Sequence, residues 1–237
     1  MKGREFDLDS KNFKLSIIIP VYNTEKYLKR CLDSAINAVT PITDQVEILI
    51  INDGSTDESS NIIEQYRHQL EASLTKFVYI EQDNQGVGAA CNNAFKKVTG
   101  EYLALLDSDD IILPDFILES RKWLDEHPSY GFVRTNGYYV TEDNLDGSDR
   151  LLEVNDYMKE KEDVFEELFN GSTYLWPGTY MIRMSVLDDL YPDREIYPSR
   201  SGQNLQFLMM AAYRSKAGFI DKPLMRYLIR KDSLSHF

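Results

Sequence analysis

The most constraining feature of this 237-residue chain is a run of seven residues near its start, Leu15 to Val21, reading LSIIIPV. Apart from Ser16 it is apolar, and it is rich in β-branched residues rather than alternating, the pattern of a strand buried on both faces. From Thr24, a helix N-cap by type, the apolar residues Tyr27, Leu28, Cys31, Leu32, Ala35 and Ile36 recur at helical spacing, and Pro41 lies beyond the end. The same alternation then repeats: a buried strand at 46–51 (VEILII), a helix at 58–70, a strand at 77–81, a helix at 87–98 and a strand at 102–106 (YLALL). Strands that alternate with helices predict right-handed crossovers and an α/β fold with a mainly parallel sheet flanked by helices.

After Pro114 the pattern loosens. It predicts a helix at 116–124, an aromatic strand at 130–140 and an acidic surface hairpin or loop at 142–149. Beyond that come a helix at 163–169, a strand at 178–184, a helix at 203–213 and paired short strands at 218–221 and 224–229. The plan is an extension at 1–14, an α/β half at 15–110, and a smaller mixed half at 111–237 of the same domain.

Charge narrows the partners. Lys plus Arg number 26 against 39 Asp plus Glu, a net −13, which repels phosphate backbones and anionic lipid, so nucleic acid is not an expected partner. Any phosphate must be handled locally, through a metal. Cys31 and Cys91 are too few for a disulfide framework and fit a reducing compartment. No apolar stretch approaches the roughly 18 residues of a membrane span, and the charged start MKGREFDLDSKNFK is not a secretory signal. These features predict a cytoplasmic protein.

In open parallel sheets ligands bind beyond the carboxyl ends of the strands. Here those ends read PVYN (20–23), NDGSTD (52–57), QDNQG (82–86) and DSDD (107–110). Turn formation accounts for any one of them but less well for four in succession. Asp107 and Asp109 alternate along an extended turn and can share one hard cation, Mn²⁺ or Mg²⁺, with the oxygens of a diphosphate. A calcium loop counted from Asp107 fails, because Ile112 stands where a glycine is needed and Leu118 where a glutamate is needed. Asp53, just past its strand, is placed to accept a hydrogen bond from a uracil N3–H, with Tyr22 as stacking area beside it. The segment from Gly86 to Cys91 is not a dinucleotide fingerprint, since its strand is not the first of the fold and no acidic ribose reader ends the next strand. No glycine-lysine phosphate loop exists, and a nucleotidyltransferase would carry a glycine-rich basic loop where PVYNTEKY stands.

SIIIPVYN, NDGSTDESS and NQGVGAACNNAFKKVTGEYLALLDSDD together resemble the nucleotide-sugar-binding half of family 2 glycosyltransferases with the GT-A fold. The resemblance covers 14 to about 125 strongly, weakens through 126–200 and returns after Gly202 and in the tail DSLSH. It implies metal-dependent, inverting transfer of a sugar from a nucleotide donor, usually uridine-linked, to a hydroxyl of a glycan or lipid-linked acceptor, in bacterial cell-surface polysaccharide assembly. Carried over, it puts Pro20 and Tyr22 beside the base, Asp53 on the uracil, and Asn84 and Gly86 along the nucleotide. Asp107 and Ser108 meet ribose and donor sugar, Asp109 is the main metal ligand with Asp107, and His236 is a further metal or diphosphate contact. The 111–237 half becomes the acceptor side, with Trp176 a sugar-stacking candidate, against ordinary core packing, and Arg200 an anion contact. A peripheral place at the inner membrane face stays open.

The chain departs from the family where function is concerned. Cys91 replaces an arginine that often helps hold the nucleotide, and Gln203-Asn204 stand where the family has Glu-Asp, the Asp serving as base. Neither amide can accept a proton at neutral pH. Either the base has moved, with Asp193 or Glu195 as candidates, or the domain binds a nucleotide sugar without turning it over.

Overall fold

The computed structural model describes residues 14–230 apart from 74, 75, 149, 153 and 175; His236 and most of the N-terminal extension lie outside the described residues. Four strands, β1 (Leu15–Val21), β2 (Val46–Asp53), β3 (Lys76–Gln82) and β4 (Tyr102–Leu105), pair in parallel in the order β3-β2-β1-β4. The sheet then crosses into the second half: β7 (Tyr180–Arg183) pairs antiparallel with β4, β6 (Tyr130–Thr141) antiparallel with β7, β8 (Lys216–Ile229) parallel with β6, and β5 (Ile111–Ile112) antiparallel with β8. The two halves therefore share one eight-stranded mixed sheet.

Every residue of β1 and β2 is buried, the polar Ser16, Glu47, Asn52 and Asp53 along with the apolar majority. Side chains alternate across the sheet, so each strand feeds two cores. Ile17, Ile19, Ile48 and Ile50 pack under α1 (Glu25–Val39), α2 (Ser59–Ser73) and α4 (Phe116–Glu126). On the other face Ile18, Leu49 and Ile51 pack under α3 (Val87–Phe95) and the short helices α5 (Asp156–Glu160), α6 (Phe165–Phe169), α7 (Met184–Leu190) and α8 (Met210–Arg214). Full burial of one such side chain stabilises by roughly 1.5–3 kcal/mol. The inward stripe of α1 is the one its spacing predicts, with Tyr27, Leu28, Cys31, Leu32 and Ala35 buried.

The second half differs from its sequence pattern in three places. The paired short strands at 218–221 and 224–229 are one strand, β8, which pairs with β6 instead of with itself; Asp221-Lys222-Pro223 reads as a turn but is a register shift, Thr135 facing Ile220 and Asn136 facing Pro223. β5, α5 and α7 are too short to leave a period in the sequence. The helix expected at 203–213 opens with a π turn at Leu205–Met209 before α8. The acidic loop after β6 is a surface hairpin, bridged Tyr138 to Leu151, whose Glu142 and Asp146 pair with Lys26 and Arg30 of α1.

Beneath the sheet's amino end, the fully buried Glu47 joins four segments. Its carboxylate accepts from Ser16 Oγ and Thr99 N, each at 2.5 Å, and from Thr99 Oγ1 at 3.0 Å, and it pairs with Lys76 at 2.5 Å. Burial alone would raise its pKa, but Lys76, Ser16 and Thr99 outweigh it and hold the group below the ordinary glutamate value of 4.5. A depressed folded-state pKa contributes stability that is present above the unfolded value and lost as pH falls through the folded one. Glu47→Gln is therefore expected to lower the unfolding free energy by about 2 kcal/mol at pH 7, and in urea titrations the gap to wild type should close as pH drops below 4.5.

Candidate functional site

The crevice begins where β1 and β4 part. Leu106 N donates to Ile18 O at 3.0 Å, the last bond between these strands. Two residues on, Pro20 turns the same edge toward β4 and has no N–H to offer. β4 leaves the sheet there for the Asp107–Asp110 turn, while β1 continues beside β2 to Val21, opposite Asn52. Because β1 leads to β2 on one side and β4 lies on the other, this is the switch point at which open α/β sheets bind ligands. Tyr22, 50% exposed, stands on its lip, whereas Pro20 is buried.

Most polar residues of the first two strand ends hold one another. Asn23, at φ 50°, accepts from Thr56 N at 2.8 Å and donates its own N–H to Ser55 Oγ at 3.0 Å. Thr24 N and Glu25 N donate to Ser59 Oγ and Asp57 Oδ2, and Glu25 Oε2 accepts from Glu58 N. The two loops thus cap each other's helices. Asn52 is buried between Ser60 Oγ, at 2.6 Å, and Ser55 N. Ser108, predicted as a ligand contact, is buried and bonded to Thr24 Oγ1 at 3.1 Å, so it fastens the β4 turn to α1.

Asp53 remains. Its Oδ1 accepts from Gln82 Nε2 at 2.8 Å and Gln85 N at 2.9 Å, and its Oδ2 from Gly86 N at 2.8 Å. A carboxylate offers about four lone-pair directions, so one on Oδ2 is left for a ligand. The loop carrying Asn84 and Gly86 is thereby folded around Asp53.

Across the crevice the DSDD turn gathers three carboxylates. Asp107 is pushed up to about 7 by burial and by Asp109, with Arg230 opposing. Asp110 lies well above the ordinary carboxylate range, chiefly by burial and then by Asp109 and Asp107; its Oδ1 accepts from Leu228 N at 2.8 Å and its Oδ2 is buried without a partner. Asp109 pairs with Arg230 at 3.0 Å. Crowded carboxylates in an all-oxygen set are what a hard divalent cation relieves. No described group of three or more His, Cys, Asp or Glu is arranged to hold one, so Asp107 and Asp109 fit an ion whose other ligands come from a bound molecule or water.

The segment 193–204 relocates several predicted residues. Glu195 pairs with Lys96 at 2.9 Å, one residue past α3, and Asp193 is exposed beside it. α3 is about 13 Å long and starts at the crevice, so both acids sit at the far end of the sheet and neither reaches the site as a relocated base. The chain then climbs back along α3. Asn92 clamps Ile196 through two 2.8 Å bonds, Ser199 O accepts from Gly88 N at 2.9 Å, and Gln206 bonds Tyr197 N and O. A Cβ on Gly88 would lie 2.6 Å from Ser199 N, and one on Gly86, at φ +93°, 2.9 Å from Arg200 Cγ. The small residues of this run therefore admit a second backbone, a role the sequence pattern did not disclose. The climb delivers Arg200 to the Asn84 loop, Nη1 to Oδ1 at 2.9 Å, rather than to the acceptor half. Asn204 ends beside the buried Tyr180, whose hydroxyl is raised by burial and by Asp107 and lies 3.4 Å from Asn204 Oδ1. Gln203 is buried next to it.

Trp176 stacks on Tyr227 at 4.4 Å and meets Tyr139 edge-on at 4.7 Å, so core packing takes one of its faces. It still adjoins the crevice, because Gly178 N donates to Leu105 O at 2.7 Å, two residues before Asp107.

The sequence model of glycosyl transferase family 2 matches residues 16–191. Glycosyltransferase GlyA of Streptococcus pneumoniae is 30% identical over 94% of this chain, which spans 31% of that protein. Poly(ribitol-phosphate) beta-N-acetylglucosaminyltransferase TarS of Staphylococcus aureus is 34% identical over 49% of the chain and 20% of its own length. The chain thus spans under a third of these relatives. The structure of TarS 1-349 in complex with UDP-GlcNAc superposes with a TM-score of 0.72 at 25% identity, covering 93% of this chain and 60% of that one. The mannosyltransferase PcManGT of Pyrobaculum calidifontis, in complex with GDP-Man and Mn²⁺, shares the fold with a TM-score of 0.67 at 16% identity, covering 93% and 58%.

The close approach of 197–200 to α3 gives a direct test. Gly88→Ala is expected to push Ser199 off the helix and destabilise the protein by about 2 kcal/mol, with faster proteolytic cutting near the exposed Tyr197. A thermal melt and a digestion time course check both.

Proposed function

The chain belongs to glycosyl transferase family 2, and from that premise we propose that it transfers a sugar from a uridine diphosphate donor to a hydroxyl of a glycan or lipid-linked acceptor. What supports this reading is that one edge of the sheet, beyond the ends of β1, β2 and β4, carries an exposed aromatic ring (Tyr22), a buried carboxylate (Asp53) with three of its lone-pair directions used, and the carboxylates Asp107 and Asp109. Tyr22 stacks on the base and Asp53 takes the uracil N3–H, while Asn84 and Gly86 border the nucleotide. Asp109 and Asp107 would hold Mn²⁺ or Mg²⁺, which supplies positive charge against the departing diphosphate. Asp109, now paired with Arg230, would be a ligand of that ion, and the Arg230 guanidinium would be available to diphosphate oxygens.

On the acceptor side, the half-buried Trp176 is the candidate sugar platform, and Gln203 and Asn204 orient hydroxyls by hydrogen bonds. No helix among the described residues is long and apolar enough to cross a membrane, and we place the reaction in the cytoplasm, with the inner membrane face as the site of a lipid-linked acceptor. A second reading, donor binding without turnover, is favoured by the position of Asp193 and Glu195 at the far end of α3, which leaves the amides Gln203 and Asn204 where the family carries its base.

Calorimetry with UDP separates these. Binding in Mn²⁺ is expected to weaken at least about tenfold, the equivalent of 1.4 kcal/mol, in Asp109→Ala and in wild type with EDTA. Slow hydrolysis of a UDP-sugar in the same samples supports the transferase, and tight metal-dependent binding with no hydrolysis or transfer supports the second reading. Absence of UDP binding by wild type refutes both.

A further inference from the structure

Arg200 stands at the mouth of the crevice on a segment fixed at both ends. Asn92 and Gln206 hold the chain before it, and Gly202, at φ +79°, turns the chain into the helix after it. Its stem lies over Gly86 and its Nη1 reaches Asn84 Oδ1, a neutral acceptor. Among the described residues it makes no ion pair, whereas Arg230 across the crevice is on Asp109. The loop it touches, Asn84 to Gly86, is the one folded around Asp53. A fixed acceptor and a guanidinium with further N–H groups to give are therefore both held against one loop.

We propose that Arg200 is a specificity-determining residue that selects the nucleobase together with Asp53. This rests on the reading of the crevice as a uridine diphosphate donor site and adds to it how the base is told apart. Asp53 Oδ2 accepts the uracil N3–H, and the Arg200 guanidinium, turned from Asn84, donates to the adjacent ring carbonyl O4. Cytosine presents the reverse at both positions: a bare N3 faces the carboxylate and an amino group faces the guanidinium. A site built to make hydrogen bonds rejects a ligand that leaves them unmade. The alternative target of an exposed arginine, the diphosphate, is served from the other wall by Arg230 and the cation of Asp107 and Asp109.

The test is calorimetry of UDP, uridine and CDP with wild type, Arg200→Met and Arg200→Lys, each shown by thermal melt to be folded. Methionine keeps the stem over Gly86 and removes the donors. Arg200→Met should weaken UDP and uridine alike by about tenfold and CDP far less, so that the preference for UDP over CDP falls by about the same factor and only the share owed to Asp53 remains, with Arg200→Lys intermediate. An unchanged preference overturns the proposal, as does weaker UDP binding with uridine unaffected, which would put Arg200 on the diphosphate. If wild type binds UDP without preferring it to CDP, the donor-site reading stands and base selection by Arg200 fails. If wild type binds no UDP, the reading itself fails and takes this proposal with it.

Discussion

The separation of β1 from β4 at Pro20 is the constraint on which the rest of the site depends. A parallel sheet satisfies its backbone only while neighbouring strands run together. Pro20 removes one donor at the point where the neighbour leaves, so the parting strands no N–H in an apolar interior. Beyond the parting, the chain on each side is free to turn outward, with Tyr22 on one lip and Asp107 to Asp110 on the other. The crevice is thus set by sheet topology before any side chain in it is chosen.

Its walls are then stiffened by residues that no ligand needs to touch. In NDGSTDESS, Asn52, Ser55, Thr56, Asp57 and Ser59 serve the neighbouring loop or helix, and Asp53 folds the 82–86 loop with one lone-pair direction unused. In the GVGAACN run, Gly88 and Asn92 receive the 196–200 segment. A short motif therefore records two demands at once, a contact and the scaffold that keeps the contact still. The scaffold takes the larger share of its letters.

This division explains what could be read from the sequence. The four parallel strands and their helices were legible because burial on two faces writes unbroken apolar runs, and the strand-end acids because carboxylates stand out beside them. Arg200 was expected on the acceptor side but lies over Gly86, since nothing in SRSG says that the chain has climbed back along α3. Asp193 and Glu195 misled for the same reason: nearness in sequence to Gln203 says nothing about a segment that spans the length of α3 between them. β8 was read as two strands because Asp221 and Pro223 are turn residues, while the sheet absorbs them as a register shift. Long-range packing of weakly periodic segments decides these cases, and local pattern does not carry it.

The electrostatics of the crevice follow from its acidity. A protein of net charge −13 draws no anion by its overall field, and Asp109 adds to the negative potential while burial and crowding push Asp107 and Asp110 toward their neutral forms. Two arginines answer from opposite walls, and each is held in a different way. Arg230 sits on Asp109, so its charge is spent until a stronger cation displaces it. Arg200 rests on an amide oxygen, so its charge is not neutralised by its partner. Arriving metal and nucleotide would then exchange one ion pair for several, and the crowded carboxylates that are unfavourable without a cation become its binding energy. On the proposed reading, affinity for an anion in so acidic a protein would be conditional on the cation that accompanies it.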